Sequence, residues 1–337
     1  MIQLITSVDT LIGYSLAYVF LSKQQHGLGK RNELRLLCRN KEGLEPLEKM
    51  GGKIIQVNWQ DKKQMQDAFS GVNYVVFVPS NTNQCHNDGE NVVKISKEQG
   101  VKYMTMMSII GIDRIQQESR HFQYLNEIAE LEKCVQQTFD KDHHCIMRTA
   151  MMSQIFYYLA PMVENKNTLC FPIEESRKWC TVDLHDLAEA VYQLSVECPQ
   201  LSENKAMFQF TSTKTMTCEE MAQTMSRGLE QGPIRYNKIT RDELRQYLTK
   251  MRDDRRFKDK PKGEEEQRRP GPDTSHTFPL GRYLTECAIE VLLEYFEMVN
   301  LGKLDFVTKD LEQVLNRQPQ DLHGFFKNNR NQFRRLK

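Results

Sequence analysis

From its first residue to about residue 149, this chain of 337 residues alternates short β-branched or apolar runs with stretches of helical periodicity, which leaves few architectures open. Strands that are apolar on both faces need helices above and below them, and parallel crossover units supply that cover. The runs predict strands at Ile2–Thr6, Glu33–Cys38, Lys53–Val57, Tyr74–Val78, Lys102–Met107 and His144–Arg148. Helices are predicted near residues 12–24, 43–50, 61–69, 88–99 and 119–138. Gly51-Gly52, Gly71 and Gly100 stand just after helical segments, where a left-handed residue ends a helix.

The expected fold class is therefore α/β: a doubly wound parallel sheet of Rossmann type over residues 1–150, followed by a smaller, mostly helical α/β lobe over 151–337. In the lobe, Asp186-Leu-Ala-Glu189, Thr217-Cys-Glu-Glu220 and Thr240-Arg-Asp-Glu243 each set a capping residue three positions before a glutamate. They predict helices from about residues 187, 218 and 241. The stretch from Arg252 to Pro272 is almost wholly charged or turn-forming and predicts a charged surface loop or linker within 252–276. Beyond it, Leu280, Leu284, Ala288, Val291, Leu292, Tyr295 and Val299 recur at helical spacing, as a core-facing stripe does.

A net charge of +1 provides no global field to gather nucleic acid or an anionic membrane. No apolar run approaches the ~20 residues needed to span a bilayer. The basic cluster Lys327, Arg330, Arg334, Arg335 and Lys337 is expected to form a solvated terminus. Nine scattered cysteines, an odd number with no C-x-x-C pair, suit reduced thiols and a cytoplasmic setting, with the nucleus as a second compartment. His143-His144-Cys145 is not expected to bind a metal, because adjacent side chains on a strand point to opposite faces.

The first strand runs into Ser7-Val-Asp-Thr-Leu-Ile-Gly13 and then an apolar helix, the setting of a G-x-x-G-x-x-G dinucleotide loop. Only the last glycine remains, the one that lets helix and strand pack closely. Ser7 and Thr10 are expected to fill pyrophosphate space or to cap the helix, and Asp9 adds like charge where a phosphate would rest on helix amides. Losing two or three amide-to-phosphate bonds, at roughly 1.5–3 kcal/mol each, lowers affinity by orders of magnitude. At the end of the second strand stands Cys38-Arg39: if a dinucleotide binds there, the arginine favours NADP over NAD, because a guanidinium fork matches phosphate, and the alternative is a surface arginine beginning a loop. Pro79-Ser-Asn-Thr82 would face the nicotinamide ribose.

These segments together resemble the NmrA-like branch of the atypical short-chain dehydrogenase/reductase superfamily. The supporting stretches are the loop at 7–13, Arg39, Asn58-Trp-Gln-Asp61, Gly71-Val-Asn-Tyr-Val-Val-Phe-Val-Pro79, Gly100-Val-Lys-Tyr103 ahead of Ser108, Ile146-Met-Arg148 and Val182-Asp-Leu-His-Asp-Leu-Ala188. The ending from Val307-Thr308 through Pro319 to Phe325-Phe-Lys-Asn-Asn329 resembles the family's terminal helices.

The resemblance implies a cofactor site at Ser7, Asp9, Thr10, Leu11, Ile12, Gly13, Arg39, Pro79 and Ser80, filled either weakly by NADP or not at all. Catalysis in such reductases uses a tyrosine, a lysine four residues later and a serine. Tyr124 and Ser108 are vestigial candidates, but Ile128 stands at the lysine position and cannot lower a phenol pKa of ~10. The functional expectation is a noncatalytic regulatory protein that binds a protein partner, the resemblance implying a transcription factor, without direct nucleic-acid or membrane binding. The alternative is an NADP-dependent oxidoreductase.

Overall fold

The computed structural model describes every residue except 28–31, 116–121, 198–204, 260–272, 274–275 and 337. It divides into two compact units: Met1–Ile112 with Asn126–Thr149 and Ala188–Gln209, and Asp113–Leu125 with Ala150–Leu187 and Phe210–Lys337. Two exchanges depart from a simple 1–150 and 151–337 split, since segment 113–125 belongs to the second unit and 188–209 to the first. Even with these exchanges the second unit is the larger of the two.

In the first unit β1 (Ile2–Ile5), α1 (Leu11–Gln25), β2 (Glu33–Cys38), α2 (Glu45–Lys49), β3 (Lys53–Gln56), α3 (Lys62–Phe69), β4 (Tyr74–Phe77), α4 (Cys85–Glu98), β5 (Tyr103–Ile109), α5 (Gln123–Thr138) and β6 (His144–Thr149) follow the predicted order. Residues 119–121, at the start of the predicted fifth helix, lie outside the described residues. A strand that periodicity missed, Met207–Phe210, joins beside β6 and completes a seven-stranded sheet. The sheet is parallel, and from that added strand its order continues β6, β5, β4, β1, β2, β3. The order reverses between β4 and β1, the switch point at which open α/β sheets bind ligands. Leu4, Ile5, Leu36, Leu37, Val75 and Val76 are fully buried, as strands covered on both faces require. Gly51, Gly71 and Gly100 take positive φ after their helices.

The second unit is mostly helical and carries three two-stranded pairs. Its core is aromatic: Phe171 lies 6.0 Å from Phe156, 5.5 Å from Trp179 and 5.1 Å from Phe296, ring centre to ring centre. Burying each such ring contributes roughly 1.5–3 kcal/mol. The capping boxes at Thr217/Glu220 and Thr240/Glu243 open helices Cys218–Leu229 and Arg241–Asp253 as predicted.

Four expectations for this half need correction. The helix expected from 187 spans Leu184–Tyr192, because Asp183 accepts the amides of His185 (2.9 Å) and Asp186 (3.2 Å), capping it one turn earlier. Asp186 is instead inside the helix, paired with Arg317 at 2.6 Å. The charged loop at 252–276 begins later than expected, since helix Arg255–Lys258, capped by Asp254, buries Phe257. The chain is buried again at Asp273, His276, Thr277 and Phe278; Glu264-Glu-Glu266 and Arg268–Pro272 lie outside the described residues.

The apolar stripe at 280–299 holds in part: Leu280, Leu284, Tyr295 and Val299 are buried, but Thr285 caps a helix at Glu286–Asn300 whose buried face also carries Ile289, Leu293 and Phe296, in place of Ala288, Val291 and Leu292. The basic terminus forms a packed helix, Arg330–Leu336, anchored by fully buried Phe333 and Leu336. Arg330 donates to the Gly228 carbonyl (2.7 Å) and Arg335 to that of Arg256 (3.1 Å). Lys337 lies outside the described residues.

Candidate dinucleotide site

β1 is followed by Thr6, whose hydroxyl donates to the Val78 carbonyl (2.9 Å) and ties the residue after β1 to the residue after β4. Ser7 then takes a left-handed backbone, φ 50°, although it is not glycine. That conformation costs an L-residue roughly 1–2 kcal/mol, so the turn retains the shape of a glycine loop with a side chain added. The added Ser7 hydroxyl is buried, with no hydrogen-bond partner among the described residues. Gly13 performs the packing role: a Cβ there would lie 2.1 Å from the Ser7 carbonyl oxygen and 2.9 Å from the Val8 Cα.

Several anion-receiving groups around this loop already have partners within the chain. Thr10 is the N-cap of α1; its hydroxyl accepts the Gly13 amide at 3.2 Å and donates to the Ser7 carbonyl at 2.7 Å. Leu11 and Ile12 open the helix with half-buried side chains. Asp9, expected to face that helix end, turns to the end of β2, where its carboxylate accepts the amides of Arg39 (2.9 Å) and Asn40 (3.1 Å). Two convergent amides there offer a carboxylate better geometry than the first turn of α1, whose Gly13 amide Thr10 holds. Burial pushes the Asp9 carboxyl above its ordinary range, against the pull of the Asn40 and Arg39 amides and of the Arg39 charge. Burial likewise pushes the neighbouring Cys38 thiol up to about 12, so it stays protonated and unreactive at neutral pH.

The Arg39 guanidinium does not point to an open corner. It pairs with Asp88, a buried residue in the first turn of α4, and lies 6.0 Å from the centre of the Trp59 ring. Asp88 also accepts from Gln60 Nε2 (2.9 Å), Ser80 Oγ (3.2 Å) and Thr82 Oγ1 (3.5 Å). Loops after β2, β3 and β4 thus converge on one carboxylate. Pro79 is half-buried beside Ser80. As arranged, two of these donors do not fit a dinucleotide, because the Asp88 carboxylate holds the Arg39 guanidinium that would read a ribose phosphate and the Thr10 hydroxyl holds the Gly13 amide.

Ser108 lies within β5 and not, as expected, after it, since β5 extends through Ile109 in register with β6. Its hydroxyl donates to Glu132 Oε1 at 2.5 Å, and Glu132 receives both Nε (2.9 Å) and Nη2 (2.7 Å) of Arg148. Tyr124 sits in the first turn of α5, half-buried, and its amide donates to Glu294 Oε1 at 3.2 Å. Ile128, one turn further along, is buried.

A second polar cluster lies inside the second unit. Asp273 Oδ2 accepts from Tyr157 OH (2.7 Å) and Gln154 Nε2 (3.0 Å). Burial, followed by the charges of Asp273 and Asp186, raises the Asp183 carboxyl well above its ordinary value, and burial also raises Asp273. Folded-state values above the unfolded ones give stability that is full below the unfolded pKa and is lost as pH rises. Asp183→Asn should therefore gain stability relative to the parent as pH is raised from about 4 to about 8, because asparagine can still cap the helix. Paired thermal melts would measure the difference, and a constant gap across that range would refute the assignment. Burial and His185 push His276 down to about 3, with the opposite slope, and its contribution cancels in the difference.

Among the described residues, no group of three or more His, Cys, Asp or Glu side chains is placed to hold a metal ion. None of their helices is long and apolar enough to cross a membrane. Sequence reasoning singled out Arg39 and Ser80 and quoted Gln60 only within Asn58-Trp-Gln-Asp61; it missed Asp88, whose only signal was an acidic residue at the start of a helix.

A seven-stranded parallel sheet whose order reverses between β4 and β1, with helices between its strands, defines a Rossmann-type fold. The chain belongs to the NmrA-like family, whose model matches residues 12–272. The fold is shared with NADP(H)-complexed triphenylmethane reductase of Citrobacter sp., at a TM-score of 0.71 and 14% identity over 97% of this chain and 99% of that one. It is also shared with an NADPH-dependent quinone oxidoreductase of Escherichia coli, at 0.67 and 15% over 97% and 98%. NmrA, described as a negative transcriptional regulator, matches at 0.66 and 14% over 97% and 94%. No curated protein matched the sequence.

Proposed function

We propose that this chain is a noncatalytic NmrA-like protein that acts by binding a protein partner in transcriptional or redox-linked regulation, with dinucleotide binding weakened or lost. The observation that carries this reading is the internal use of the anion donors: Thr10 on the Gly13 amide, Asp9 on the Arg39 and Asn40 amides, and Asp88 on the Arg39 guanidinium. Ile128 supports it, because an aliphatic side chain supplies no positive field to Tyr124 one turn away. The likeness to NmrA directs the search for a partner toward transcription factors and the search for its location toward cytoplasm and nucleus. The alternative, an NADP-dependent oxidoreductase, is favoured by one feature, an arginine at the end of β2.

NADPH titration followed by energy transfer from the protein aromatics separates the readings. The expected result is no saturable binding in the micromolar range and no steady NADPH consumption with a panel of carbonyls and quinones. Consumption with any of them would overturn the noncatalytic reading, whereas micromolar binding alone would overturn only the loss of affinity. Affinity capture from native extract that returns no transcriptional regulator would count against that choice of partner.

A further inference from the structure

We infer that Asp88 is a built-in competitor for the adenosine-side phosphate, holding Arg39 in a closed clasp. This rests on the reading of the site as a weakened dinucleotide site and names the contact that weakens it at the ribose corner.

The arrangement is more than a surface ion pair. Asp88 is 1% exposed, whereas Arg39 is partly open to solvent. Its carboxylate collects a guanidinium, a carboxamide and two hydroxyls from loops following three neighbouring strands. Those are donor types that a phosphate would use, gathered at the strand ends where a ribose phosphate is read. Asp88 also sits in the first turn of a fourteen-residue helix, where aligned amides favour negative charge, so the clasp is stabilised from its own element as well. Nearby, the Asp9 carboxylate is occupied by the backbone amides of residues 39 and 40. An incoming phosphate must displace the Asp88 carboxylate from the Arg39 guanidinium.

Adenosine 2′-monophosphate is the direct probe, because it carries the ribose phosphate but no pyrophosphate and so does not depend on the Ser7–Thr10 turn. Calorimetric titration of the full chain should show Asp88→Asn binding it about tenfold tighter or more than the parent, the factor one charge-assisted hydrogen bond is worth. Affinity for adenosine should stay unchanged. Adding Arg39→Ala to Asp88→Asn should abolish the gain. Equal affinity of parent and Asp88→Asn for adenosine 2′-monophosphate, an equal gain for adenosine, or a gain that survives Arg39→Ala would overturn the clasp. If Asp88→Asn does not fold, Asp88→Ser serves the same comparison. NADPH consumption by the parent would defeat the proposed function and leave this ratio to be read separately.

Discussion

Gly13→Ala should destabilise the first unit by about 3 kcal/mol or more, and Gly13→Val should not accumulate in folded form. A Cβ at this position lies 2.1 Å from the Ser7 carbonyl oxygen, 2.7 Å from the Ser7 carbonyl carbon and 2.9 Å from the Val8 Cα. All three are backbone atoms, and they belong to a turn in which Ser7 is already left-handed. No rotamer change relieves such an overlap; α1 must move away from β1, loosening the packing around buried Leu16, Ala17 and Phe20. Denaturant melts with far-UV dichroism and tryptophan emission would measure the loss. Gly232→Ala is the control, since nothing lies within 4 Å of a Cβ there. Equal midpoints for the two alanine variants would refute the close approach of helix and strand.

The second large effect concerns the ion pair that links α5 to the sheet. Glu132→Ala should cost about 3–5 kcal/mol, because it leaves Arg148 buried without the carboxylate facing it. Glu132 and Arg148 side chains are 5% and 8% exposed, and the Ser108 hydroxyl donates to the same carboxylate. Replacing both charges with apolar groups, as in Glu132→Leu with Arg148→Met, should recover most of the loss, since a buried pair competes closely with apolar packing of similar volume. Urea melts of the parent, the single and the double variant test this. A double variant as unstable as Glu132→Ala would mean that the pair contributes through specific hydrogen bonds that packing does not replace. The arrangement also accounts for Ser108 without catalysis, as part of the contact holding α5 against β5 and β6.

The first unit was legible in sequence because its local signals agree: apolar runs of strand length, helical stripes and glycines after helices all point to one alternation. The capping boxes at Thr217 and Thr240 succeeded for the same reason, since their partners lie three residues apart. At Asp186 the same pattern misled, because Asp183 reached the amides first. Met207–Phe210 was missed because a four-residue run carries no clear period and becomes a strand only beside β6. The charged ending read as solvated although its few aromatic residues outweigh it: Phe325, Phe326 and Phe333 are fully buried. Net charge says little about a helix whose arginines reach carbonyls and whose rings fill a core.

At the candidate site the division is sharper. Sequence alone determined that the turn after β1 departs from a glycine loop, that Gly13 remains, that Arg39 follows β2 and that an isoleucine, Ile128, stands four residues after Tyr124, since each is a matter of residue identity at a known spacing. Tertiary structure alone decided where the charges go. Arg39 and Asp88 are 49 residues apart and meet only because parallel crossovers bring the ends of β2 and β4 to one edge of the sheet. Asp9 reaches the amides of Arg39 and Asn40 by the same convergence. Side-chain hydrogen bonds act over about 3 Å, whereas sequence patterns record only what neighbours along the chain must share.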